Sequence, residues 1–281
     1  MNNCLAAKTN VELQNARNAL ASLAQVRRGY PLVPGFDHIE QFHNGVYATQ
    51  DFVVPWTKSA CNLDASVMLV LQDWNSAGVL AALPIDQHQV ITGQSKGFPT
   101  NTRIRKLLRA YFNMSFCQTY ATDVIPFAKH GNRRAPVPFS FMAQCASAFT
   151  LNEIAVVRPC IVLAIGIKVY QAIYMAHSGN MPSAASQWFD IVHSNGCVSR
   201  VYCLSHPQRH LKADERAVEW SRAAAYYDSG CKKKKASYPR EEGPNIHSQQ
   251  HYETTEGLSN GITCTKSRCM LWQLGTCRSE C

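Results

Sequence analysis

The sequence predicts an α/β protein, a three-layer α/β/α sandwich around a central, mainly parallel four-stranded sheet. Two observations carry this prediction. Four short runs rich in β-branched, aromatic and aliphatic residues recur along the chain, each closing on a polar or turn-forming cluster. Helical patterns lie between these runs, and such alternation is what a parallel sheet covered on both faces requires. The chain has 281 residues, 46% of them hydrophobic, which is enough to bury a sizeable core.

In order, residues 11–27 predict the first helix. Leu13, Ala16, Leu20, Leu23 and Ala24 repeat close to the helical period, Arg27 and Arg28 suit its C-terminal end, and Gly29 and Pro31 stop it. Residues 34–56, rich in aromatics and prolines, show no period and are assigned neither helix nor strand. The β-rich runs are residues 67–71, 120–125, 160–165 and 200–204, and the clearest helical patterns are 102–112 and 141–156. After about residue 227 the composition changes to Lys, Pro, Gly, Ser, Asn and Gln with few aliphatics, which predicts a disordered tail. The chain therefore divides into a helix and lead-in loop (1–49), a main domain (50–227) and a basic, cysteine-containing tail (228–281).

A net charge of +9 favours a polyanionic partner, because each phosphate neutralised releases counterions. No apolar run reaches the roughly 20 residues of a membrane helix. The first 26 residues mix polar and charged side chains among the apolar ones, so no signal-peptide core is visible and a cytoplasmic protein with no membrane partner is expected. A monomer is expected too. Of the 12 cysteines, the seven before residue 227, Cys160 among them, are dispersed and read as buried free thiols. The five beyond it, including Cys231, read as solvated unpaired thiols, and no metal or cofactor is expected.

In open α/β sheets function collects at the carboxyl ends of the strands. After the first β-rich run comes Leu71-Gln72-Asp73-Trp74-Asn75; the second contains Thr122-Asp123-Val124-Ile125-Pro126-Phe127; Ser205-His206-Pro207 follows the fourth. In order and approximate spacing, over roughly residues 50–225, this set resembles the uracil-DNA glycosylase superfamily, which has a water-activating motif after its first strand, a base-reading Asn on its second and a His-Pro motif after its last. The third run, Val162-Leu163-Ala164-Ile165-Gly166, is similar to that family's strand entering a helix. The resemblance implies an enzyme that flips a base out of DNA and hydrolyses its glycosidic bond. Some relatives hold an iron-sulfur cluster; the ligand spacing for one is absent here.

The resemblance assigns roles. Asp73 would stabilise the cation-like sugar and orient the attacking water, and His206 would hydrogen-bond the base O2 as negative charge gathers on the leaving group. Gln72, Asn75 and Phe98 would contact the flipped base, Phe98 by stacking. Arg103, Arg105 and Lys106 on the helix 102–112 are candidates for phosphate contact, and Arg209 for phosphate contact or for filling the vacated base position. Leu71 and Trp74 replace the Gly and Pro of the family motif. Each residue also has a structural alternative: a helix cap for Asp73, a surface turn for His206, a core ring for Phe98, a solvated helix face for the cations.

The departure with most chemical content is Asp123, where the family has Asn. A carboxylate only accepts hydrogen bonds, so uracil O4 would face a repelling oxygen, whereas the N4 amino group of cytosine would find an acceptor. Cytosine N3 also needs a proton, shared with Asp123. Asn75 stands where the family has a Tyr that closes the C5 face of the pyrimidine, leaving room for a substituent. The expected substrate is thus a C5-modified cytosine, as in hypermodified bacteriophage DNA, with antiviral defence as the role. Repair of uracil or another deaminated base, and a catalytically inactive DNA-binding module, are the alternatives. No lysine in the sequence reads as an imine-forming nucleophile, so a monofunctional glycosylase is expected.

Overall fold

The computed structural model describes residues 7–132, 134–183, 185–208 and 213–232. Arg209 and the chain beyond residue 232 lie outside them. Helix α1 (Asn10–Arg28) opens on a capping box in which the Thr9 side chain accepts from the Glu12 N–H and the Glu12 carboxylate accepts from the Thr9 N–H at 2.8 Å. Its buried stripe is Ala16, Leu20 and Ala24. Arg27, fully buried at its end, donates two 2.6 Å hydrogen bonds to Glu40, tying the helix to the lead-in segment.

That segment contains a two-residue strand, β1 (Phe36–Asp37), and three short 3₁₀ turns, the last being Pro55–Ser59. Strand β2 (Val67–Asp73) follows, then helices α2 (Ala77–Ala82), α3 (Gln87–Thr92) and α4 (Pro99–Leu107), the last continuing through a wider π turn to Phe112. Strand β3 (Tyr120–Ile125) leads into β4 (Ala128–Lys129). Helix α5 (Phe139–Cys145), a π turn and helix α6 (Leu151–Val157) run on without a break. Strand β5 (Ile161–Ile165), helix α7 (Ile167–Ser178), strands β6 (Trp188–Val192) and β7 (Val198–Leu204), and helix α8 (Ala213–Tyr226) complete the order, with a last helical turn over Tyr227–Lys232.

The main sheet has the order β3-β2-β5-β7-β6. Its first four strands are parallel and β6 is antiparallel to β7, so the sheet is mixed and five-stranded, not four-stranded. The extra strand closes a hairpin over Asn195-Gly196, whose Gly196 takes a positive φ of 77°. Arg200 of β7 covers this edge: it pairs with Asp190 at 2.7 and 2.8 Å and lies 3.8 Å over the Trp188 ring. Strands β1 and β4 form a separate antiparallel ladder, Phe36 opposite Lys129.

Val67 to Val70 of β2 and all of β3 and β5 are buried consecutively, as strands of a parallel sheet covered on both faces are, and Met68, Leu69, Val162 and Leu163 are fully buried in the core. Helices α5, α6 and α7 pack on one another and on the sheet; α8 packs on β7 and on the end of α4. Glu153 of α6 is fully buried and accepts from the Tyr120 hydroxyl at 2.7 Å and the Thr122 hydroxyl at 2.8 Å. Among the described residues no helix is long and apolar enough to cross a membrane.

Two expectations about the C-terminal part are corrected. The division at residue 227 falls inside ordered chain, since Tyr227 and Cys231 belong to the core. Cys160 and Cys231, expected as free thiols, are bonded to each other. Sequence patterning cannot see a pairing across 71 residues that α8 brings about by folding back along the sheet.

Candidate active site

The parallel strands β3, β2, β5 and β7 expose their carboxyl ends on one side, and the chain passes from β2 to β3 on one flank and to β5 on the other. That reversal is where open α/β sheets make a crevice. A cavity of about 380 Å³ lies here, lined by Gln72, Asp73, Asn75, Phe98, Asp123 and His206. All six candidates for catalysis and base contact therefore meet in one place, although they come from four separate stretches of sequence.

Each is held by its element. Asp73 ends β2, and its carboxylate oxygen Oδ2 lies 2.5 Å from Lys129 Nζ. Gln72 Nε2 reaches the same oxygen at 3.5 Å. The Asn75 carbonyl accepts from the Ser76 N–H at 2.9 Å, leaving the amide NH₂ as the end that can donate. Trp74 donates from Nε1 to the Gly93 carbonyl at 2.6 Å, which fastens the β2 loop to the end of α3. Gly93 is required at that contact: it has a φ of +73°, and a Cβ there would strike the Pro55 carbonyl.

The His206 loop is fastened to α4 twice. Arg103 donates to the Pro207 carbonyl at 3.0 Å and Gln208 Nε2 donates to the Thr100 hydroxyl at 2.8 Å. The Gln208 N–H donates to His206 Nδ1 at 3.2 Å, which leaves the proton of a neutral ring on Nε2. Burial, only partly offset by the Asp73 charge and helped by the Arg103 cation, lowers the His206 pKa, so the ring is neutral at pH 7 and offers Nε2–H as a donor.

Asp123 is 2% exposed and its Oδ2 has no hydrogen-bond partner among the described residues. Burial, then the charges of Asp73 and Glu153, raise its pKa well above the ordinary carboxylate value. That shift favours the neutral acid, with one O–H donor and one acceptor, over the carboxylate. This alters the expectation that it repels uracil O4: that argument holds for the carboxylate, whereas the neutral acid can present either group to either pyrimidine. What distinguishes the bases is that cytosine N3 can take the acid's proton and uracil N3, already protonated, cannot.

The cations on α4 do not line the cavity. Arg103 and Lys106 are exposed, while Arg105 turns toward Gln94 Oε1 at 3.2 Å and the Phe116 ring. Three cavity residues carried no signal in the sequence: Gln94, Arg134 and Lys129. Lys129 stands in a two-residue strand beside His130 and reads as a solvated cation; its burial, to 4% of the side chain, follows from pairing with β1, far away in sequence. The sequence matches no family model and no curated protein at a significant level.

Proposed function

We propose that the protein is a DNA glycosylase that receives a base flipped out of DNA in the cavity at the ends of β2, β3 and β7 and hydrolyses its N-glycosidic bond. The favoured base is a cytosine carrying a C5 substituent. The observation that carries this reading is the convergence of Asp73, Asp123 and His206 on a single cavity of about 380 Å³, within the size range of small-ligand sites. The strand order and the helices packed along the sheet support the three-layer sandwich expected of such an enzyme.

As the N1–C1′ bond breaks, its electron pair moves onto the base and the sugar becomes cation-like. The Asp73 carboxylate stabilises that charge and orients the water that adds to C1′. His206 Nε2–H hydrogen-bonds O2. Asp123 gives its proton to cytosine N3 and accepts from the N4 amino group, so the base leaves neutral; the proton from the water returns the Asp123 acid through solvent. Asn75, in place of a larger ring, leaves space at C5. Excising ordinary cytosine would destroy the host's own genome, so recognition of the substituent is part of the reading, and hypermodified bacteriophage DNA supplies such bases. Arg103, Lys106 and Arg134 are available for phosphates around the mouth.

Repair of uracil is the second reading. The neutral Asp123 acid favours it, because one donor and one acceptor are what an asparagine presents. Duplex oligonucleotides containing uracil, cytosine or 5-hydroxymethylcytosine, incubated with the protein and then heated in alkali, separate the two. Breakage at 5-hydroxymethylcytosine with little at uracil is expected; the reverse pattern replaces the first reading by the second, and no breakage at all removes both.

A further inference from the structure

A buried ammonium beside Asp73 works against the task just given to that carboxylate, since it cancels part of the negative charge that a sugar cation needs. Lys129 is nonetheless built into the cavity wall. Its backbone is fixed on both sides, antiparallel to Phe36 and bridged to Ser76, and its side chain is 4% exposed with Nζ 2.5 Å from Asp73 Oδ2. Such a pair can move one proton from nitrogen to oxygen, which yields a neutral amine in a confined site without separating charge.

From this geometry we propose that Lys129 is a nucleophilic amine that forms an imine with C1′ of the abasic sugar and cuts the DNA strand on its 3′ side, a second activity that rests on the glycosylase reading's placing of the sugar at Asp73. The Nζ lone pair adds to the C1′ aldehyde, the Nζ proton having passed to Asp73. The carbinolamine loses its hydroxyl as water, using that proton, and becomes the iminium. A C2′ proton then goes to the Asp73 carboxylate, the C3′–O3′ bond breaks, and the phosphate leaves with its electron pair. Water hydrolyses the imine and restores the amine. No oxidant or reductant is needed. The expectation of a monofunctional enzyme rested on finding no placed lysine, and Lys129 is one.

The test uses the full-length protein and a duplex carrying one preformed aldehydic abasic site, so it needs no prior base release. Sodium cyanoborohydride reduces an imine to a stable amine. The expected result is a covalent protein–DNA adduct that maps to the Lys129 peptide and does not form on a duplex carrying tetrahydrofuran, which has no aldehyde. Strand scission at the aldehydic site is expected without reductant. K129R, which keeps a cation but not the nucleophile, should reduce trapping by about 100-fold or more. No adduct with the wild-type protein, or an adduct mapped to another amine, overturns the proposal whether or not K129R folds. If bases are released in the glycosylase assay but nothing is trapped, only this inference fails; if the adduct forms on Lys129 while no base is ever released, the glycosylase reading fails instead.

Discussion

Asp73 and Asp123 lie on neighbouring strands at the same end of the sheet, yet their surroundings differ. Asp73 is paired with a cation, while burial and then the charges of Asp73 and Glu153 raise the Asp123 pKa well above the ordinary carboxylate value. In the proposed reaction these two carboxyl groups divide the work, Asp73 stabilising charge and Asp123 donating a proton. Asp73→Asn should lower base release about 100-fold or more with DNA binding retained, as read by single-turnover release against a binding titration. Asp123→Asn keeps a donor and an acceptor but has no proton to give. Release of a cytosine-type base should fall by roughly 100-fold or more while uracil release is unchanged or rises. The same logic sets the pH dependence: with wild type, cytosine-type release should decline as pH rises through the elevated Asp123 pKa, and that decline should vanish in Asp123→Asn. Asp73, Asp123 and His206 were legible in the sequence because each lies in or directly follows a β-rich run. The raised pKa of Asp123 was not, because it arises from burial and then from the charges of Asp73 on the neighbouring strand and Glu153 on a helix, none of which is local in sequence.

Two elements carry the cavity's shape: the α3–α4 segment on one side and the His206 loop on the other, joined by Arg103–Pro207 and Gln208–Thr100. Gly93 is the tightest point in that segment. Gly93→Ala combines a positive φ with a collision at the Pro55 carbonyl and should cost about 1–3 kcal/mol or more, measured as a lowered denaturation midpoint. At the other end of the chain, the Cys160–Cys231 bond closes a long loop and fixes the helical turn after α8. Ending the chain after Asp228 removes Cys231 and should lower stability by roughly 2–4 kcal/mol, whereas ending it after Lys232 should keep both fold and base release. Comparing the two truncations by thermal melting, with and without reductant, checks this. The parallel strands were readable as apolar runs. Strand β6 does not stand out in the sequence, although Trp188–Val192 is followed by Asn195-Gly196, a hairpin signal: the charged Asp190 interrupts the apolar run by which the other strands are recognised.

For the molecule as a whole, the buried acids tie stability to pH. Burial raises Glu153 to about 7 from an ordinary value of 4.5, against the lowering effect of its two hydroxyl donors. A folded-state acid with a raised pKa binds more protons than the unfolded chain, so stability is greatest below about pH 4.5 as far as this group is concerned. It falls as pH climbs to about 7 and is level above that. The loss from Glu153 is at most about 3 kcal/mol, and Asp123 adds in the same direction. Urea midpoints measured from pH 5 to 8 for wild type and Glu153→Gln isolate this contribution: the wild-type midpoint should fall relative to that of Glu153→Gln as pH rises toward about 7. The fold class was readable because alternating strands and helices constrain topology strongly. The site as a working unit was less so, since Lys129, Gln94 and Arg134 reach the cavity only through long-range packing. The central claim, that this cavity releases a base from DNA, is tested most directly by mass spectrometry of the small molecules freed from DNA rich in 5-hydroxymethylcytosine. The intact free base with wild type and almost none with Asp73→Asn is the predicted result; no free base from modified, uracil-containing or ordinary DNA would contradict it.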